Sequence, residues 1–273
     1  MTPTWYGKAP PPEIPTPGLA GWVRIVLRGV PLLGLVTGGL FLTLVLRLAE
    51  RPVFGAGRPV TPWITVFVCR NALRLMGIRL TVSGSVVHGQ GAVVTNHSSW
   101  LDIFVLNAVK RIYFVSKAEV AAWPGIGWLA RATGTVFIER NRTQAARQAE
   151  VFRDRLAAGH RLLFFPEGTS SDGQRVLPFK SSLFSAFFAD DLRDHLEVQP
   201  VTVVYMAPKG QEARFYAWWG DMTFGAHFLN ILAHGAGGAV QIICHAPLQV
   251  RAYPDRKALA TACEHAVRGA HKH

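Results

Sequence analysis

The alternation of short apolar runs with longer amphipathic segments after residue 78 limits the folds open to this chain. The short runs are rich in Val, Ile, Leu and Phe, which is typical of buried β-strands. Strands are predicted at residues 79–82, 92–95, 112–115, 135–138, 162–165, 201–205 and 240–244. Helices are predicted between and after them at residues 100–109, 126–132, 144–158, 181–190 and 258–268. Such alternation predicts an α/β fold over residues 79–273, with a mostly parallel sheet flanked by helices.

The segment before this domain contains an uncharged stretch, residues 29–46, with Arg24, Arg28 and Arg47 on its flanks. A helix of these 18 residues is about 27 Å long, slightly shorter than the hydrocarbon core of a bilayer. The stretch is expected either to span a membrane or to dip into one leaflet and return. Cations on both flanks favour the second arrangement, and a buried core helix is the remaining alternative.

A second N-terminal helix is predicted at residues 62–77, where Arg70 and Arg74 share one side and apolar residues occupy the rest. This profile is typical of a helix at a membrane interface. A surface helix with a solvated basic face is the alternative. Residues 19–78 are therefore predicted to form a two-helix membrane-anchoring motif. Residues 1–18, which contain six prolines, are predicted to be a flexible, extended tail.

The composition also favours a protein attached to a membrane, since 49% of residues are hydrophobic and only 17% are charged. The formal net charge of +12 predicts attraction to an anionic lipid bilayer or to acidic partners. Nucleic acid is not an expected partner, because the basic residues are scattered and no nucleic-acid-binding motif accompanies them. The three cysteines are isolated in the sequence and predict neither a disulfide framework nor a zinc site.

The residues with the clearest chemical meaning are His97 and Asp102, which follow the predicted strand 92–95. The carboxyl ends of parallel strands are where α/β sheets carry their sites. A helix is expected to begin near Ser98 or Ser99, which places Asp102 within reach of the imidazole. A carboxylate on one ring nitrogen fixes the tautomer and stabilises the imidazolium, so His97 is a candidate general base. A structural histidine beside a helix-capping aspartate is the alternative.

No nucleophile accompanies this pair, because the chain has no G-x-S-x-G motif and its cysteines lie far from His97 in the sequence. Direct transfer is therefore the simpler reaction: His97 deprotonates an acceptor hydroxyl, which attacks an acyl thioester. Metal binding by the pair lacks a third ligand at a useful spacing. Neither a metal nor a cofactor other than the acyl donor is predicted.

A second polar turn, Phe165-Pro166-Glu167-Gly168-Thr169, follows the predicted strand 162–165. Glu167 is expected to accept a hydrogen bond from the acceptor hydroxyl, and Gly168 allows a positive φ or the close approach of a ligand. Backbone N–H groups of this turn are candidates for stabilising an oxyanion. The alternative is an ordinary loop with a solvated glutamate.

With these residues in place, the chain resembles the glycerolipid acyltransferases of the 1-acylglycerol-3-phosphate acyltransferase (PlsC) type. Four ordered blocks carry the resemblance: N-H-x-x-x-x-D at 96–102, G-x-x-F-I-x-R at 134–140, F-P-E-G-T at 165–169, and an apolar run around a proline at 198–201. The resemblance implies that His97 is the base and Asp102 its orienting partner, and that residues 79–273 are the catalytic domain. It also implies substrate binding by Lys117, Arg140, Glu167, Gly168, Thr169 and Lys180.

The same resemblance implies a lyso-lipid acceptor and an acyl-coenzyme A or acyl carrier protein donor, at the cytoplasmic face of the inner membrane. One departure concerns the acceptor. Members that form phosphatidic acid commonly continue E-G-T with Arg-Ser, whereas Ser170 and Ser171 follow Thr169 here, and Arg175 or Lys180 is the available replacement. Together with the run Trp218–Met222 this resembles the branch that acylates lyso-ornithine lipid. Lyso-ornithine lipid and 1-acyl-sn-glycerol-3-phosphate both stay open as acceptors.

Two other classes of protein share these features. One is a hydrolase in which His97 activates water on the thioester, and the other is a non-catalytic protein that docks lipid or acyl carrier protein. The His97/Asp102 pair argues against the second class, because docking needs no base.

Overall fold

The structure is a computed structural model that describes residues 4–7, 9–85, 91–123, 125–138, 145–234 and 237–271. Its centre is an eight-stranded sheet in the order β1-β7-β6-β2-β5-β3-β4, with β8 also paired to β6. The strands are β1 Arg79–Ser83, β2 Gly91–Thr95, β3 Tyr113–Lys117, β4 Val136–Ile138, β5 Arg161–Phe164, β6 Glu197–Met206, β7 Ala239–Cys244 and β8 Leu248–Gln249. The β6–β7 and β6–β8 pairings are antiparallel and the other five are parallel. The prediction of a mostly parallel α/β sheet is confirmed.

Helices cover both faces of this sheet. They are α1 Leu19–Phe54, α2 Thr61–Leu75, α3 Asp102–Val109, α4 Ile126–Thr133, α5 Ala145–Ala157, α6 Asp190–Arg193, α7 Phe224–Ala233 and α8 Arg256–Ala270. The helix predicted at residues 181–190 is instead a 3₁₀ segment, Ser181–Phe188, followed by the short α6. Neither α7 nor β8 was predicted from the sequence.

The two central strands, β2 and β5, are buried along their whole length. Ala92 and Val94 contact one core cluster while Val93 contacts the other, because successive side chains of a strand point to opposite faces. Residues of α1, α2, α3 and α7 complete the cluster that contains Val93, and residues of α5, α8 and the 3₁₀ segment complete the cluster that contains Ala92 and Val94. With both faces covered, functional groups are left to the strand ends.

The first helix is longer than the uncharged stretch that predicted it. It has 36 residues and contains Pro31 and Pro52, so its length is about 54 Å. Only 11% of its most apolar 18-residue window is buried, and it is long and apolar enough to cross a bilayer. Such exposure argues against the alternative of a buried core helix.

Both ends of α1 are tied to the α/β domain. Near its start, Arg24 Nη1 donates to the Ala233 carbonyl (2.9 Å) and Arg28 donates to the His234 carbonyl, at the end of α7. These contacts suit cations at a helix C-terminus. Just beyond the other end, Arg58 Nη1 donates to the Ala132 carbonyl of α4 (2.6 Å). The helix therefore lies along the domain and is not directed away from it.

The described residues of the N-terminal segment, 4–7 and 9–18, form neither helix nor strand. They nevertheless lie against the α/β domain. Tyr6 donates its hydroxyl hydrogen to Asp221 (3.2 Å), and Arg214 donates to the Pro10 carbonyl (3.0 Å). These contacts were not predicted from the sequence.

Candidate active site

The end of β2 is held in place by the side chain of Asn96, which is fully buried. Its Nδ2 donates to the Val203 carbonyl (2.8 Å), and its Oδ1 accepts from the Val203 N–H (2.8 Å). The amide side chain thus continues the pairing between β2 and β6 where the β2 backbone turns away. The next residue, His97, is thereby placed at the carboxyl end of the sheet.

His97 and Asp102 contact each other directly. The distance from His97 Nδ1 to Asp102 Oδ2 is 2.7 Å, and the aspartate side chain is 0% exposed. The N–H groups of Ser98 (2.9 Å) and Ser99 (3.1 Å) donate to the same oxygen. An ionised carboxylate only accepts hydrogen bonds, so Nδ1 carries the proton and Nε2 keeps a lone pair. This is the tautomer that a general base requires.

The other oxygen of Asp102 accepts a hydrogen bond from the hydroxyl of Tyr205, at 2.7 Å. Burial and then the neighbouring Asp102 charge raise the pKa of Tyr205 well above 10.0, so the hydroxyl stays protonated and donates. Helix α3 begins at Asp102, which is later than the predicted start near Ser98 or Ser99. The backbone amides of these two serines donate to the aspartate, as described above, and neither serine caps the helix.

The imidazole ring is open on one side and supported on the other. The His97 side chain is 21% exposed. Its ring stacks on Phe165, with centroids 4.0 Å apart and planes inclined by 21°. Phe165 directly follows β5, which pairs with β2 in parallel, so the two predicted turns do meet at one edge of the sheet.

Glu167 has a different position from the one expected of a group that contacts the acceptor. Its side chain is fully buried, and its two carboxyl oxygens accept from the N–H groups of His97 (2.8 Å) and Leu177 (3.0 Å). Burial raises the pKa of Glu167 to about 8, although both N–H contacts oppose the shift. This arrangement makes Glu167 a residue that positions the His97 backbone.

The next residue of this turn, Gly168, has a φ of +75°, the left-handed conformation that glycine adopts without strain. Its N–H closes the turn by donating to the Phe165 carbonyl (3.0 Å). That amide is therefore engaged within the turn and is not directed at an oxyanion.

The other predicted binding residues lie in several places. Lys117 is the last residue of β3, and Lys180 directly precedes the 3₁₀ segment, each with a half-buried side chain. The Thr169 hydroxyl faces the backbone N–H of Trp5 (3.5 Å). Arg140 lies outside the described residues. Within the residues that the structure describes, no three His, Cys, Asp or Glu side chains form a group that could hold a metal.

Two members of the site, Asn96 and Tyr205, were not predicted as functional. A signal for Tyr205 was present, because the predicted strand 201–205 ends on it and polar groups at strand ends mark α/β sites. Asn96 carried no separate signal beyond its place in the N-H-x-x-x-x-D block.

Comparison with known proteins gives three findings. Residues 79–207 match the Acyltransferase family. The lyso-ornithine lipid O-acyltransferase of Rhodobacter capsulatus is 53% identical, over 97% of this chain and 96% of that protein, and that of Brucella abortus is 39% identical, over 74% and 79%. The crystal structure of the 1-acyl-sn-glycerophosphate acyltransferase PlsC from Thermotoga maritima has a TM-score of 0.57 at 20% identity, covering 89% of this chain and 96% of that one. This last likeness shows a common fold.

Proposed function

This chain belongs to the PlsC-type acyltransferase family, and from that premise we propose that it transfers a fatty acyl group from a thioester to the hydroxyl of lyso-ornithine lipid. The observation that carries the choice of acceptor is the likeness to the Rhodobacter capsulatus enzyme, which extends over nearly the whole of both chains. The departure from Arg after the E-G-T block supports the same choice, because a carboxylate head group needs fewer cations than a phosphate does.

The reaction follows from the position of the His97 lone pair. Nε2 takes the proton of the acceptor hydroxyl while the hydroxyl oxygen forms a bond to the thioester carbonyl carbon. Asp102 stabilises the imidazolium through Nδ1 and is itself held by Ser98, Ser99 and Tyr205. The tetrahedral intermediate then breaks its C–S bond, and the imidazolium returns the proton to the thiolate. No acyl-enzyme forms.

The acyl donor is a thioester of coenzyme A or of acyl carrier protein. Both are acidic molecules, so the net charge of +12 favours the approach of either. Kinetics with each donor at matched acyl-chain length distinguish them.

The reaction is expected to take place at the cytoplasmic face of the inner membrane. Along α1, residues such as Leu27, Leu33 and Leu48 expose large apolar side chains, and Trp63 and Phe67 of α2 do the same. An apolar face that water would otherwise surround is typical of a surface that contacts lipid. Because both ends of α1 contact the α/β domain, the two helices lie in the plane of one leaflet, with the active site beside them.

The test uses purified protein and a labelled acyl donor, with and without lyso-ornithine lipid. Two-chain lipid that forms only with acceptor present supports transfer. Free fatty acid at equal rates in both reactions identifies a hydrolase, and no turnover of the donor in either identifies a docking protein. A parallel reaction with 1-acyl-sn-glycerol-3-phosphate tests the other acceptor.

The His97→Ala variant is expected to abolish acyl transfer while membrane binding persists, since the base is lost and the helices are unchanged. His195→Ala is the matched control, because His195 is exposed and lies after α6, away from this site. Retained turnover in His97→Ala removes His97 from the mechanism.

A further inference from the structure

A bidentate ion pair lies in the loop that follows Glu167. Arg175 Nε donates to Asp172 Oδ1 (3.1 Å), and Arg175 Nη2 contacts Asp172 Oδ2 (3.0 Å). The loop is attached to the proposed base, because the Ser171 N–H donates to the His97 carbonyl (3.0 Å). Asp172 therefore directly follows a residue that is hydrogen-bonded to the backbone of His97.

The two members of the pair differ in exposure. The Asp172 side chain is 8% exposed and the Arg175 side chain is 49% exposed. Among the described residues, Asp172 is the hydrogen-bonding partner of the Arg175 guanidinium and occupies its Nε side. A carboxylate that binds Nε and Nη2 occupies one edge of the planar guanidinium. The N–H groups on the Nη1 side are therefore left to bind a ligand.

The N-terminal segment forms a wall beside this guanidinium. The Arg175 Cζ atom lies 5.5 Å from the centroid of the Trp5 ring, within the range of a cation–π contact. Trp5 is held by two further contacts, with Thr169 Oγ1 at 3.5 Å from its N–H and with the Trp219 ring at 6.4 Å between centroids. Residues far apart in the sequence thus enclose one half-exposed cation next to the F-P-E-G-T turn.

We propose that Arg175, Asp172 and Trp5 form the subsite for the acceptor head group, in which Arg175 binds a carboxylate and Asp172 selects a zwitterion over a phosphate dianion. This inference rests on the proposed function and names how that function chooses its acceptor. An ornithine acylated on its α-amino group carries one carboxylate and one ammonium. Its carboxylate is complementary to Arg175 and its ammonium is complementary to Asp172.

Asp172 provides the selectivity because the Coulomb energy between the aspartate and another ion is proportional to the charge of that ion. Arg175 and Asp172 together are neutral. Because a dianion is attracted by the arginine and repelled by the buried aspartate nearby, the two effects oppose each other. A zwitterion is attracted by both side chains, since its carboxylate binds Arg175 while its ammonium is attracted by Asp172.

The experiment compares kcat/KM for lyso-ornithine lipid and for 1-acyl-sn-glycerol-3-phosphate, in identical mixed micelles with one saturating donor. For Arg175→Ala we expect a loss with lyso-ornithine lipid of roughly tenfold to a hundredfold, mainly in KM, the range for a hydrogen bond to a charged group. For Asp172→Asn we expect the ratio of phosphate acceptor to ornithine acceptor to rise roughly tenfold, because the arginine charge is then unopposed. For Trp5→Ala we expect KM to rise roughly twofold to tenfold at unchanged kcat.

The matched control is Arg268→Ala. Arg268 has the same side-chain exposure of 49% and also pairs with a carboxylate, Glu264, but lies in α8. It is expected to leave the ratio between the two acceptors unchanged. Because the Arg268 charge also acts on the buried Glu167, this ratio, and not the absolute rate, is the control. Unfolding temperatures of all variants establish that they are folded.

The inference is overturned if Arg175→Ala and Asp172→Asn leave the ratio between the two acceptors at the wild-type value. Should Asp172→Asn not fold, Arg175→Ala decides alone. Without Arg175 the unopposed Asp172 charge repels the phosphate dianion and still attracts the ammonium, so the ratio of phosphate acceptor to ornithine acceptor should fall, whereas a residue that only stabilises the loop lowers activity equally with both acceptors. Failure of the proposed function has another signature: wild-type protein that acylates neither lipid, or only the phosphate acceptor.

Discussion

At the scale of single residues, one buried aspartate organises the proposed catalytic site. Asp102 accepts four hydrogen bonds, from the imidazole, two backbone amides and the Tyr205 hydroxyl. A buried carboxylate is tolerated only when its acceptor sites are satisfied in this way. The hydrogen bonds that stabilise the Asp102 charge therefore also hold this carboxylate in the position from which it orients His97.

Asp102→Asn is expected to lower the transfer rate about 100- to 10,000-fold, the range of general acid–base assistance. An asparagine whose oxygen replaces Oδ2 still accepts from the imidazole and both serine amides, but it is neutral and does not stabilise the imidazolium, and its NH₂ group then faces the Tyr205 hydroxyl, which donates to Asp102 in the wild-type protein. Tyr205→Phe removes a single donor, and we expect a loss of roughly tenfold. Single-turnover rates at saturating acceptor measure both effects, and a rate in Asp102→Asn equal to that of Tyr205→Phe contradicts the orienting role.

Glu167 gives a prediction about pH, because burial raises its pKa from 4.5 to about 8. Between these values the folded protein retains a proton that the unfolded chain releases. Its contribution to stability is therefore present at low pH and decreases as the pH rises from about 4.5 to about 8. Relative to Glu167→Gln, the unfolding temperature of wild-type protein should fall across this range. A pH-independent difference refutes the assignment, and Glu150→Gln, at an exposed site on α5, is the control.

At the scale of elements, α1 is the helix that we propose to contact the membrane, and it is connected to the site. Its arginines bind the carbonyls at the end of α7, and α7 carries His227, whose Nδ1 accepts from the indole N–H of Trp100 (2.9 Å). Trp100 lies in the turn between His97 and Asp102. A continuous set of contacts thus runs from α1 to the catalytic turn.

The in-plane arrangement that we propose for α1 predicts that its two ends lie on the same side of the membrane. Cysteines introduced at Gly18 and Ala56, both exposed, should react with an impermeant maleimide from the same side, whereas one at Leu33 should be protected by lipid. Background labelling is low because the three native cysteines are buried. Inverted and right-side-out vesicles provide the measurement. Labelling of the two ends from opposite sides identifies a helix that crosses.

The strands were the elements that the sequence predicted best. Runs of β-branched and apolar residues predicted β1 to β7. For β2, β5 and β6, burial on both faces explains the continuous apolar signal, whereas β1 is mostly exposed. Helix α7 was not predicted because its ten residues are mostly apolar, and a short apolar run does not distinguish a helix from a buried strand. The Ser181–Phe188 segment was assigned the wrong helix type, because apolar spacing does not distinguish an α-helix from a 3₁₀ helix.

At the scale of the whole molecule, the site depends on which strands are neighbours. His97 and Glu167 were predicted to face each other because parallel strand ends meet at one edge, and β2 and β5 are indeed paired. Tyr205 required in addition that β6 lie on the other side of β2. That order results from the packing of the complete chain, and nothing within either strand encodes it. Trp5 is a similar case, since a proline-rich composition predicts extension but not the surface against which the segment lies.

The distribution of buried histidines predicts how the folded protein as a whole responds to acid. Burial lowers the pKa of His227 to about 4, and burial followed by the Arg155 charge does the same for His160. These groups bind protons more tightly when unfolded, with an ordinary value of 6.5, so their contribution is present above that pH and is lost as the pH falls towards 4.

Replacing both His160 and His227 by glutamine removes their titration. The difference in unfolding temperature between wild-type protein and this double variant should therefore shrink as the pH falls from 6.5 to 4. His195→Gln, at an exposed site, should leave the profile unchanged. The comparison with the double variant separates the effect of the histidines from that of Glu167, whose contribution to stability changes in the opposite direction between about pH 4.5 and 6.5, where the two ranges overlap. A wild-type advantage that stays constant down to pH 4 shows that these two side chains carry charge inside the folded protein.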